Sequence, residues 1–160
     1  MKRAAILFIL IIFLAISASA DMVSFFIVET GLPVNPDNAA VHQHSVLWEN
    51  AFMDVFFDAG FIVSNAPILR IEKKPSGDIL KAALISMSDA REWSIDYILV
   101  TQLDYPAEET APSDILFFLY RTSPEEKILE KSVKRNFPRT ARNEYEELKT
   151  IVRGLIPYIQ

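Results

Sequence analysis

The sequence predicts one compact α/β domain with a mixed sheet and the element order β-α-β-α-β-β-β-α. Segments rich in β-branched and aromatic residues alternate with segments whose apolar residues recur at helical spacing, as in parallel strands joined by helices. The run at 97–100 is apolar without interruption, as in a strand that is covered on both faces. Two neighbouring strand-like runs late in the chain predict an antiparallel hairpin.

The first predicted elements are a strand, a loop, a helix and a second strand. Residues 22–28 are mostly β-branched and aromatic, which predicts the strand. Pro and Asn recur through 32–43, which predicts the loop. Ser45 is a favourable N-cap for a helix that we expect to end before Gly60, because glycine takes the left-handed conformation that often terminates a helix. A short strand follows at 61–64.

The middle of the chain contains one ambiguous segment. Residues 65–74 fit either an edge strand or a helical turn. A second helix is predicted over 78–93, where apolar residues return at helical spacing, and a strand over 96–103. The acidic segment 104–114 contains two prolines and predicts an exposed loop.

The last third of the chain predicts a hairpin and a final helix. Strands over 115–122 and 128–137 are separated by the five residues Ser-Pro-Glu-Glu-Lys, which indicates a long turn. Asn143 and Glu146 have the spacing of a capping box and predict the start of the helix. Pro157 is expected to disturb its last turn.

The first predicted helix carries two apolar stripes. One has the spacing of a face that packs on a core, and it consists of Trp48, Phe52, Val55, Phe56 and Ala59. Val46, Met53 and Phe57 project roughly opposite, where a surface helix is normally polar. Either the segments 32–43 or 65–74 cover this second stripe, or it is an exposed patch that binds a partner.

The first twenty residues have the layout of a secretory signal peptide. A Met-Lys-Arg start precedes thirteen uninterrupted apolar residues at 4–16, and an Ala-Ser-Ala sequence ends at Ala20. The apolar run is shorter than the roughly 20 residues that span a bilayer core. We therefore expect cleavage after Ala20, leaving one domain at 21–160 in the periplasm or outside the cell. An uncleaved anchor is the alternative.

Composition excludes several classes of function. The chain has no cysteine, so disulfides, thiol chemistry, cysteine-bound metals and a lipidated amino-terminal cysteine are all excluded. The net charge of −5 becomes −7 once the two basic residues of the leader are removed. An acidic domain repels phosphate backbones, and we therefore expect no nucleic-acid partner.

Two segments resemble a family of envelope domains. Residues 57–63 have the sequence FDAGFIV, and residues 90–100 have the sequence AREWSIDYILV. Both resemble the helix-to-strand junctions of the TolB amino-terminal domain and of the related CsgG-like and LpoB-like domains. The resemblance implies a periplasmic domain that binds another envelope protein. The lipidated cysteine typical of CsgG-like and LpoB-like proteins is missing.

The candidates for chemistry are few. His42 and His44 could supply two ligands to zinc or copper from the predicted loop, with a carboxylate such as Glu49 or Asp21 as the third. Histidines in such a loop are more often exposed and unliganded. Asp54 and Asp58 share one helical face, and we expect them on a solvated surface rather than in acid–base catalysis.

The sequence thus predicts a non-catalytic, exported interaction domain of a bacterial envelope assembly, with no cofactor. It is expected to bind an envelope protein through Val46, Met53 and Phe57, and through the sheet edge that the hairpin offers. After cleavage it is not expected to be an integral membrane protein. The alternative is a small periplasmic protein that binds a ligand or a metal through His42 and His44.

Overall fold

The structure is a computed structural model, which describes residues 20–31, 39–71, 93–106, 112–134 and 141–159. Within these ranges the elements confirm the predicted fold class, a mixed α/β domain built on one sheet. The strands are β1 (Met22–Thr30), β2 (Ile62–Asn65), β3 (Leu69–Ile71), β4 (Tyr97–Asp104), β5 (Asp114–Thr122) and β6 (Glu125–Lys134). The helices are α1 (Ala39–Asp58), α2 (Ala141–Arg153) and a short 3-10 helix at Ile156–Tyr158.

The sheet combines a parallel half with an antiparallel half. Its order is β2-β1-β4-β5-β6, and β3 pairs with β1 farther along the edge that β2 occupies. Strand β1 is parallel to β2, β3 and β4, whereas β5 is antiparallel to both of its neighbours. Met22 lies opposite Ile62, and Val28 lies opposite Leu69. The ambiguous segment 65–74 therefore contains an edge strand.

The main core lies between the sheet and the inner face of α1. Trp48, Phe52 and Phe56 are fully buried there, as their spacing predicted. The ring of Phe52 lies 5.0 Å from that of Phe25 on β1, and 5.7 Å from that of Trp48. Such aromatic contacts stabilise the fold beyond the burial of apolar area alone. Ala59 was expected in this stripe but is exposed, because α1 ends at Asp58.

The opposite face of the sheet holds a smaller apolar cluster. Ile98 and Val100 belong to it, whereas Tyr97 and Leu99 pack into the main core. Successive side chains of a strand point to opposite faces, so β4 requires apolar residues at consecutive positions. This confirms the interpretation of the uninterrupted run at 97–100.

Helix α1 begins earlier than the sequence suggested. It starts at Ala39, so the prediction of a loop extending to residue 43 was wrong, as was the prediction of Ser45 as an N-cap. Alanine is the strongest helix former, which explains why the helix extends back to Ala39. Residues 32–38 lie outside the described part. The predicted helix at 78–93 also lies outside it, except for Trp93, which lies in a turn.

The hairpin is tighter than predicted. Only Ser123 and Pro124 separate β5 from β6, which begins at Glu125 instead of residue 128. The charged residues after Pro124 indicated a turn, but charged side chains are also typical of an exposed edge strand. Strand β6 is such an edge in the described sheet.

Helix α2 also begins before its predicted cap. It starts at Ala141, which places Asn143 inside the helix and Glu144 in its first turn. Pro157 lies in the 3-10 helix after α2, consistent with the expected disturbance of the final turn. Neither described helix is long and apolar enough to cross a membrane.

Candidate functional site

The outer face of α1 exposes large apolar side chains. Val46, Met53 and Phe57 are 51%, 39% and 73% exposed, and Asn50 between them is also exposed. Along a helix with a rise of 1.5 Å per residue, Val46 and Phe57 lie about 16 Å apart. We call this surface, made of Val46, Asn50, Met53 and Phe57, the outer stripe. Its role in binding stays a prediction, but it is exposed, which is the first requirement for a binding surface.

Carboxylates flank the outer stripe on both sides. At 100° per residue, Asp54 and Asp58 fall along the side that faces α2, and Glu49 falls along the other. Asp54 and Asp58 are exposed, as predicted, and Glu49 is half-buried. A partner that covers the outer stripe therefore meets negative charge along both of its borders.

Asp54 also joins α1 to α2. The Tyr145 hydroxyl donates a hydrogen bond of 2.6 Å to Asp54, and the Lys149 ammonium lies 3.4 Å from the same carboxylate oxygen. The hydrogen bond from Tyr145, followed by the charge of Lys149, lowers the pKa of Asp54. Desolvation and the bond to Asp54 raise the pKa of Tyr145 to about 12. At neutral pH this border therefore consists of an ionised Asp54 and a neutral Tyr145.

Glu49 has a comparable link on the opposite border. The side-chain amide of Asn65 on β2 donates a hydrogen bond of 3.2 Å to Glu49. Both borders of the outer stripe are thus tied to neighbouring elements, which limits the freedom of its acidic side chains. A surface whose charged groups are already ordered loses less entropy when a partner binds.

The two histidines lie on α1 rather than in a loop. Helical positions two residues apart do not face each other, so positions 42 and 44 fall on different faces. The His44 Nε2 atom lies 3.2 Å from a carboxylate oxygen of Glu144 on α2, and both side chains are largely buried. The side chain of His42 lies outside the described part of the chain. Among the described residues, no group of three His, Asp or Glu side chains is placed to hold a metal.

A buried carboxylate on β1 organises a polar cluster that sequence reasoning missed. Glu29 is fully buried and accepts hydrogen bonds from Ser45 on α1, from Arg70 at 2.8 Å and from the Tyr105 hydroxyl at 3.4 Å. Burial, together with the charge of Glu29, raises the pKa of Tyr105 far above its ordinary value. A charged residue near the end of an otherwise apolar strand was the signal available in the sequence. The cluster fixes α1 and β3 to β1.

The described residues line shallow clefts at both ends of the sheet. One, of about 490 Å³, is lined by residues on both sides of the β5–β6 turn and by Asp96. The other, of about 280 Å³, lies at the carboxyl end of β1 beside Asp104, to which the Thr30 hydroxyl donates a hydrogen bond. Neither cleft is lined by His44. The clefts offer hydroxyl and carboxylate groups but do not bring a nucleophile to a histidine base.

Two sequence comparisons bear on this chain. Residues 35–115 match a protein-family model described as "Uncharacterised protein". The match includes α1 and most of the parallel half of the sheet. No curated protein matches the sequence.

Solved structures show the fold that the chain shares. PelC from Paraburkholderia phytofirmans, solved as a dodecamer, is 15% identical with a TM-score of 0.50, over 90% of each chain. TolB from Acinetobacter baumannii is 16% identical with a TM-score of 0.44, over 88% of this chain and 27% of TolB. The lipoprotein GNA1162 from Neisseria meningitidis is 11% identical with a TM-score of 0.45, over 86% of this chain and 98% of its own.

These likenesses concern the fold alone, since every identity is low. The predicted similarity to TolB is present at this coarse level, although its TM-score is too low to support a further conclusion. The predicted similarity to CsgG-like and LpoB-like domains stays a prediction.

Proposed function

Because this chain belongs to the family that residues 35–115 match, whose description names no activity, we propose its function from its own geometry. The domain is an exported, non-catalytic interaction module that binds a protein of the cell envelope through the outer stripe of α1. The observation that carries this proposal is the exposure of Val46, Met53 and Phe57 on a helix whose inner face already forms the core.

Burial of the outer stripe is energetically useful to a complex. Full burial of one large apolar side chain contributes about 1.5–3 kcal/mol relative to its exposed state. Phe57 is 73% exposed and so retains most of that free energy for a partner. Aromatic residues are also over-represented among the side chains that dominate binding energies. We therefore expect Phe57 to contribute most to the free energy of the proposed interface.

The second predicted surface, the edge of the hairpin, is less suitable. Strand β6 forms this edge, and its exposed positions are mainly charged. Lys127 and Glu130 form an ion pair of 2.7 Å on it. Charged side chains on edge strands discourage the addition of another strand. The outer stripe is therefore preferred over the edge of β6.

The envelope location rests on the leader and on the sequence resemblance. The leader has the three parts of a secretory signal, and it ends where β1 is about to begin. The TolB-like junction sequences agree with an envelope role. PelC shares the fold and was solved as a dodecamer. The oligomeric state of this protein should therefore be determined early, from the mass of the purified protein in solution.

Affinity purification from crosslinked envelopes tests the proposal. We compare the wild-type chain with the Phe57→Ser variant, and we use Trp93→Ser as a matched control because Trp93 is also 73% exposed but lies off α1. A co-purifying envelope protein should be present with the wild type and the control, and lost with Phe57→Ser. Circular dichroism confirms that each variant is folded. Equal recovery with all three chains would show that the outer stripe does not bind the partner.

A further inference from the structure

The outer stripe has a regular spacing that its apolar character alone does not require. Gln43, which precedes the outer stripe, continues its spacing. The steps from Gln43 through Val46, Asn50 and Met53 to Phe57 alternate between three and four residues, and all five positions are exposed. This is the spacing of the a and d positions of a coiled coil. Gln43, Asn50 and Phe57 take the a positions, and Val46 and Met53 take the d positions. Helix α1 therefore has one face in its own core and a second face with the pattern of a helix–helix contact.

We propose that the outer stripe binds an amphipathic helix of a partner protein, flanked by basic residues, with Asn50 setting the register of the two helices. This inference rests on the proposed function and specifies the chemistry of the partner. The two helices pack side by side at an interaxial distance of about 8–10 Å, with the small crossing angle of coiled coils.

Asn50 lies at the centre of the outer stripe, with Val46 and Met53 as its apolar neighbours on either side. A single asparagine at an a position costs stability but specifies register, because its amide needs a polar counterpart when it is buried. A partner helix with an amide opposite Asn50 satisfies that need. A partner with leucine there leaves the amide without a hydrogen bond, and so binds more weakly.

The charges beside the outer stripe select the partner. In the same heptad, Glu49 takes a g position and Asp54 takes the following e position, where interhelical ion pairs form. In a parallel pair of two copies of this chain, Glu49 of one copy would face Asp54 of the other. In an antiparallel pair, one register would place Glu49 opposite its own equivalent and a different register would do the same for Asp54. The parallel pair therefore juxtaposes like charges, whereas lysine or arginine at these positions of another helix gives favourable pairs.

The contact is short. From Gln43 to Phe57 the helix rises about 21 Å, which is two heptads. A two-heptad contact falls at the small end of specific interfaces, below about 1,200 Å². Such a contact suits a reversible association, or one that is repeated within an assembly and so gains strength by avidity.

Designed peptides test the inference without knowledge of the natural partner. The probe is a labelled three-heptad helix with leucine at its a and d positions, one asparagine at the central a position, and lysine at e and g. A second peptide carries glutamate at e and g, and a third replaces the asparagine with leucine. Fluorescence anisotropy measures their binding to the purified protein, with Trp93→Ser as the control chain.

We expect the lysine peptide to bind at least about tenfold more tightly than the glutamate peptide, a difference of about 1.4 kcal/mol. Glu49→Lys should reduce this preference by at least about threefold, because it removes one acidic partner and adds a base. Asn50→Leu should shift the preference from the asparagine peptide to the leucine peptide. Trp93→Ser should bind all three peptides as the wild type does.

Four results would overturn the inference. Equal affinity for the lysine and glutamate peptides would contradict the charge selection, and an unchanged peptide preference in Asn50→Leu would contradict the register. The absence of binding to every peptide would contradict the helical mode altogether. If no peptide binds but the Phe57→Ser variant still fails to co-purify the envelope protein, the outer stripe binds its partner by a mode other than helix pairing, and the proposed function is retained. A wild-type dimer by light scattering that Phe57→Ser dissociates would identify a second copy as the occupant.

Discussion

The inner and outer faces of α1 are built from similar residues and have different environments. Phe52 and Phe56 are fully buried against the sheet, whereas Phe57, the next residue, is 73% exposed. The difference comes from position on the helix, because one residue turns the side chain by about 100°. Apolar character alone therefore does not identify the core of this protein. The described core does not include the outer face, as the proposed binding role requires.

The largest expected difference between the two faces is in stability. Phe52→Ala should lower the free energy of unfolding by about 3–5 kcal/mol, because it leaves a cavity beside Trp48 and Phe25. Phe57→Ala removes the same atoms from an exposed position and should change the free energy of unfolding by less than about 0.5 kcal/mol. Urea unfolding of both variants measures the contrast. Comparable losses would show that Phe57 is part of the core and would remove the distinction between the faces.

The inner face also depends on a polar contact, which sharpens the comparison. Glu29→Ala should destabilise the fold by about 3 kcal/mol or more, since it leaves the guanidinium of Arg70 largely buried without its counter-charge. Removal of both charges, in Glu29→Leu with Arg70→Leu, should cost less than the single change. Thermal or urea unfolding measures whether the double variant is more stable than Glu29→Ala. A double variant that is less stable than Glu29→Ala would contradict the assigned role of the pair.

The contact of Asp54 with Tyr145, at the border between the two faces, should make the stability of the fold depend weakly on pH. The pKa of Asp54 is lower in the folded chain than its ordinary value of 3.8. Its ionised form therefore stabilises the fold fully at neutral pH, and this contribution is lost as the pH falls through the acidic range below 3.8. Because Asp54 is half exposed, solvent screens the effect, and Tyr145→Phe should cost less than about 1 kcal/mol at pH 7. The free energies of unfolding of the wild type and of Tyr145→Phe should become equal at acidic pH. A difference that stays constant with pH would contradict this.

The smallest expected effect concerns the metal alternative. A ligand that binds only the folded chain raises the thermal midpoint. Because positions 42 and 44 fall on different faces of α1, we expect zinc to produce no measurable rise. A rise that disappears in His44→Ala would restore the metal-binding hypothesis, and a rise that survives that change would point to a site elsewhere.

Local periodicity made most of the fold predictable. The inner stripe of α1, the two-sided burial of β4 and the late hairpin all follow from patterns within a few residues of one another. The errors lie where local signals conflict. Ser45 is a good capping residue, but in the structure its hydroxyl bonds to Glu29 from inside the helix. The charges after Pro124 indicated a turn and proved to be the start of an edge strand.

The polar cluster could not be predicted from such patterns. Glu29 meets Ser45, Arg70 and Tyr105 across separations of 16, 41 and 76 residues. No local spacing encodes these contacts, which arise only when β3 and the end of β4 lie beside β1. The outer stripe was different, because its pattern is local. Sequence alone found its three apolar members, and the structure was needed to show that they are exposed and that Asn50 lies exposed between them.

Site-specific photocrosslinking in living cells tests the central claim most directly. A photoreactive amino acid takes the place of Phe57 in one chain and of Trp93 in another, so that the two equally exposed positions are compared. A discrete crosslinked product with an envelope protein is predicted from position 57 and not from position 93. A product from position 93 alone would contradict the assignment of the binding surface to the outer stripe of α1.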